Sequence, residues 1–119
     1  MGGLALSDRE FDRLFIESVD ETLDALLGEK VRIAVCDILE NRYHIAMDQA
    51  PARLDDFALG LEKVLGAASN STIRKIIIKR FYVKLGLEGL ELIERANWRL
   101  PDYVREARTK MSQRSEPVE

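Results

Sequence analysis

Apolar residues return every three or four positions through most of this chain, and three of the four clearest runs close on a glycine. Phe11, Leu14, Phe15, Val19, Leu23 and Leu26 share one face at 100° per residue, with Glu17, Asp20, Glu21 and Asp24 opposite, and Gly28 follows. Val31, Ala34, Val35, Ile38, Leu39 and Tyr43 form a second arc. Leu54, Phe57, Leu61, Val64 and Leu65 form a third before Gly66, and a fourth run ends at Gly86. A period near 3.6 with glycine stops specifies amphipathic helices. A period-two alternation that would build a sheet is missing, and the single Ile76–Ile78 triplet would have no strand to pair with.

Local signals set the expected boundaries. Ser7 and Glu10 have capping-box spacing, so the first helix begins at about Asp8. Its tight join to the second implies an antiparallel pair. The stretch NRYHIAMDQAPARLDDF carries Pro51 and little periodicity, which predicts a connection of about ten residues. Asp55 and Asp56 suit the positive end of the third helix, and Ser69 and Ser71 offer caps for the fourth. Leu87, Leu90, Ile93 and Leu100 suggest a fifth helix, which Pro101 either stops or follows with a sixth. The polar MSQRSEPVE reads as a frayed tail. The expected architecture is an all-α, compact bundle of five or six helices, with one domain over residues 1–110 and a tail over 111–119.

The fourth run, SNSTIRKIIIKRFYVKLG, poses a conflict between cations and core. Ile73, Ile76, Ile77, Ile78, Phe81, Tyr82 and Leu85 cover more than half of its circumference. Burying each such side chain stabilises by roughly 1.5–3 kcal/mol, against roughly 0–1 for an exposed ion pair, so burial decides where this helix goes. Lys75 and Lys79 are left on a narrow polar strip, while Arg74, Arg80 and Lys84 lie at its rim with their stems against apolar surface.

Charge narrows the function classes. Residues 1–30 hold eight acids against three bases, residues 70–87 hold five bases and no acid, and the chain carries a formal charge of −3. Such a field disfavours phosphate and lacks the strongly basic footprint of a typical DNA-binding domain. A basic strip beside an acidic helix fits pairing within the protein or with a protein partner. No apolar run approaches the roughly 20 residues of a bilayer span, and the amino terminus has no secretory pattern, so a cytoplasmic protein is expected. MGGLALS does match the loose acylation pattern at Gly2, which a flexible lead-in explains equally simply.

No residue set carries catalysis, a cofactor or a metal. Cys36 is the only cysteine and His44 the only histidine, which rules out an internal disulfide and a cysteine-built zinc site. Cys36 reads as a small hydrophobe at the edge of a helix face, and His44 as a C-terminal cation where the second helix ends. The carboxylates Asp12, Glu17, Asp20, Glu21 and Asp24 have neither EF-hand nor di-iron spacing, and phosphate-binding glycine loops are absent. The residues left for partner contact are Lys75, Lys79, Glu17, Asp20, Glu21 and Asp24, with the aromatics Trp98 and Tyr103 as candidate anchors.

The segment FIESVDETLDALLGEKVRIAVCDILENRYHI, then Pro51, Asp55 and Asp56 before Phe57, Leu61-Glu62-Lys63 with Gly66, and finally IIIKRFYVKLGL resembles a family of small archaeal all-helical domains described as signal-output modules. The resemblance spans about residues 15–89, and residues 90–119 extend past it. It implies a non-catalytic protein–protein interaction module in signalling or regulation, with a protein partner or a homo-oligomer and no cofactor. The alternative is a small nucleic-acid-binding regulator using the basic strip of the fourth helix.

Overall fold

The computed structural model describes residues 7–87 and 99–115, with side chains described through residue 112. Among these residues it is an all-α bundle: α1 (Asp8–Leu27), α2 (Glu29–Tyr43), α3 (Leu54–Leu65), α4 (Ala67–Leu85) and α5 (Leu100–Ser115), with a 3-10 turn at Met47–Gln49. Leu90, Ile93 and Trp98, expected near the fifth helix, lie outside the described residues, as does Gly2.

Two corners set the topology. Gly28 (φ 92°) is both the C-cap of α1 and the N-cap of α2, and Gly66 (φ 87°) stands in the same relation to α3 and α4. A Cβ at either position would meet nothing within 4 Å, so the requirement for glycine is the backbone angle and not space. Gly66 also explains why Ser69 and Ser71 are not caps. Turning the chain in one residue starts α4 at Ala67, which places both serines inside the helix.

At the opposite end of α1, Ser7 Oγ accepts from the Glu10 N–H at 3.0 Å. The reciprocal half of the capping box is replaced by a Glu10–Arg13 ion pair at 2.5 Å. α1 and α2 run antiparallel, with Arg32 reaching back to Asp24 at 3.5 Å.

α4 is the central helix, in contact with α1, α3 and α5. Ile73, Ile77, Ile78, Phe81, Tyr82 and Leu85 are buried, and Ile76 is half-buried. Phe81 stacks edge-on against Phe11 and Phe15, with centroids at 5.1 and 5.4 Å, and Phe15 meets Phe57 at 6.1 Å. These rings join three helices at one point.

The connection between α2 and α3 is less loop-like than its sequence. Ile45 and Ala50 are buried in the core, and Arg53 donates to the His44 carbonyl at 2.7 Å while holding Asp56 at 3.2 Å. Periodicity missed both apolar residues because neither belongs to a helix.

The last helix continues past Met111, where a frayed tail was expected to begin, and Met111 packs against the core. Arg108 anchors that end. It pairs with Asp8 and Asp12, both at 3.0 Å, and its guanidinium lies 4.2 Å from the centre of the Phe11 ring.

Candidate association surface

The acidic back of α1 is largely engaged inside the molecule. Glu17 meets Arg13, one turn away, and Lys84 of α4 at 3.6 Å. Glu21 takes Lys84 at 3.2 Å and Arg80 at 3.5 Å, and Asp24 takes Arg32. The α1–α4 contact therefore consists of an aromatic core with a charged edge. Opposite charges on the two helices, separated by about sixty positions in sequence, meet there.

Among the described residues, Asp20 has no such partner. It is half-buried at the α1–α2 seam, and its Oδ1 is buried without a hydrogen bond among the described residues. Burial pushes its carboxyl above the usual carboxylate range; Arg32 opposes this, while Asp24 and Glu21 add to it. Burial also raises the Cys36 thiol, and Asp20 adds to that effect. A thiol held in its neutral form is a poor nucleophile, which agrees with a packing role for Cys36.

On α4, Lys75 and Lys79 are exposed on the strip that the wheel assigns to them, between the half-buried Arg74 and Arg80. Tyr103 is not an exposed anchor. It is only 7% accessible, and the Tyr82 hydroxyl donates to its carbonyl at 3.0 Å, so the residue closes α5 onto α4. The periodicity of α5 was too short to reveal that inward face, and Trp98 lies outside the described residues. His44 adopts a left-handed conformation (φ 60°) as the C-cap of α2, where its backbone does the structural work.

The largest departure from expectation is α2. Only Val35 and Leu39 of its arc are buried and Tyr43 is half-buried, whereas Val31 is 44% and Ile38 39% accessible, with Ala34 exposed between them. Val31, Ala34 and Ile38 recur at i, i+3 and i+7, so they form one stripe along the helix. α2 rests on α1 and α3, and these two neighbours meet only the side centred on Val35 and Leu39. Gly60 allows the close approach on the α3 side: a Cβ there would sit 2.9 Å from Leu39 Cδ2. The stripe lies beyond that contact. Leu26, also expected in the α1 core, is 47% accessible at the α1–α2 corner. Ile33 projects elsewhere on α2, and Leu59 and Val83 are single exposed residues of an ordinary kind.

Elsewhere, a cavity of about 20 Å³ lies among Ala58, Leu61, Asn70, Arg74 and Leu100. It has room for a water molecule and is far smaller than a metabolite site. Among the described residues, no group of three or more His, Cys, Asp or Glu is arranged to hold a metal, and no helix is long and apolar enough to cross a membrane.

Compared with protein-family models, curated proteins and solved structures, the chain matches none.

Proposed function

We propose that this chain is a non-catalytic association module that binds protein through the outer face of α2. The observation that carries the reading is the Val31, Ala34 and Ile38 stripe, which remains accessible after the bundle has buried its other apolar faces. Apolar surface aligned along one helix is the usual footprint of helix-on-helix recognition. The resemblance to archaeal signal-output domains points the same way, toward signalling or regulation. The charged face of α1, a second candidate for partner contact, has much of its charge engaged by Arg13, Arg32, Arg80 and Lys84. It tunes the surface field more than it supplies a free docking site.

The test is cross-linking to protein in lysate from the source cells, comparing the parent with a Val31→Glu/Ile38→Glu variant and with Lys79→Glu. Loss of cross-links in the α2 variant alone supports the reading. Unchanged protein cross-links, together with salt-sensitive retention of duplex DNA that Lys79→Glu removes, would favour the nucleic-acid alternative.

A further inference from the structure

Resting on the reading of α2 as the docking face, we infer that its occupant is a second copy of this chain, paired antiparallel about a two-fold axis. The argument comes from what borders the stripe. Lys30 and Asp37 stand seven positions apart on the same edge of it, both exposed, and neither makes an ion pair among the described residues. In an antiparallel pair of identical helices, each edge meets its own counterpart in reverse order. A register that sets Val31 of one copy against Ala34 of the other then brings Lys30 opposite Asp37 on both sides of the axis. One edge, used twice, supplies two oppositely charged contacts.

The apolar residues obey the same register. Ala34, the smallest side chain of the stripe, lets the backbones approach, and Val31 fills the space above it in each direction. Ile38 is carried to the α1–α2 corner of the second copy, where Leu26 stands exposed. A parallel arrangement would set this edge against the opposite edge of the second copy, so Lys30 and Asp37 would not face each other; only the antiparallel arrangement lets the edge pair with itself.

Charge exchange across the pair tests this directly. In sedimentation equilibrium, the parent is expected to shift from monomer toward dimer as concentration rises into the high micromolar range. Lys30→Glu and Asp37→Lys, each creating two like-charge contacts, should each weaken dimerisation about tenfold. The doubly exchanged Lys30→Glu/Asp37→Lys chain should return to within about threefold of the parent. Both positions of change are exposed, and circular dichroism verifies that the three variants remain folded. A parent that stays monomeric at ~1 mM, or a double exchange that fails to restore pairing, overturns the proposal. A monomeric parent whose α2 stripe still cross-links to another protein would overturn the second-copy assignment and leave the broader reading of the surface standing.

Discussion

α2 and α4 both carry apolar residues around much of their circumference, but they occupy opposite positions in the bundle. Among the described residues, α4 packs on three helices and buries almost all of its apolar arc, whereas α2 packs chiefly on two and leaves Val31, Ala34 and Ile38 at the surface. Apolar coverage of a helix therefore does not by itself predict burial. The number and direction of its neighbours decide which residues are covered. What a central helix needs for folding, a peripheral helix presents to solvent, and that excess is the surface the proposed association would use.

The sharpest way to break this comparison is at its buried member. Phe81 is fully buried between Phe11 and Phe15, so Phe81→Ala should destabilise the chain by about 3–5 kcal/mol in chemical denaturation. A loss below about 1 kcal/mol would remove α4 from the centre of the account. The glycine corners come next. Gly66→Ala forces a side chain into a backbone region that L-residues rarely adopt, and it should cost about 1–3 kcal/mol by the same measurement.

Both of those features follow from patterns readable in the sequence: the apolar arc of α4 and the glycine between periodic runs. What periodicity hid has a common cause. It assigns side chains to a face but does not say whether another helix covers that face, which is why Val31, Ile38 and Leu26 were expected inside. It also gives no weight to residues outside helices, such as Ile45 and Ala50, or to charge pairs between distant segments, such as Arg108 with Asp8 and Asp12. The charged candidates of α1 were legible as a face, but their partners on α4 and α2 became visible only once the helices were placed.

A smaller effect is expected at Asp20. Its carboxyl titrates above the ordinary value in the folded chain, so the folded state favours the protonated form. The stabilising contribution is complete below the unfolded value near 3.8 and is lost as pH rises through the raised folded value. Asp20→Asn removes that loss. Its melting temperature should exceed that of the parent at neutral pH, and the difference should shrink as pH approaches 3.8. A variant less stable than the parent at pH 7 would mean that the ionised carboxylate is satisfied after all. The smallest effect belongs to Lys79→Glu, where an exposed side chain with no ion pair among the described residues should shift stability by under about 0.5 kcal/mol.

The contrast between the two helices is tested most directly by melting Val31→Glu/Ile38→Glu and the parent at two chain concentrations. At low micromolar concentration the two should melt within about 0.5 kcal/mol of each other, because the stripe is not part of the core. Near millimolar concentration the parent should melt higher and the variant should not, because only the parent gains stability by mass action. A variant that melts far below the parent at the lower concentration, with no further change at the higher, would contradict the account by placing the stripe inside the fold.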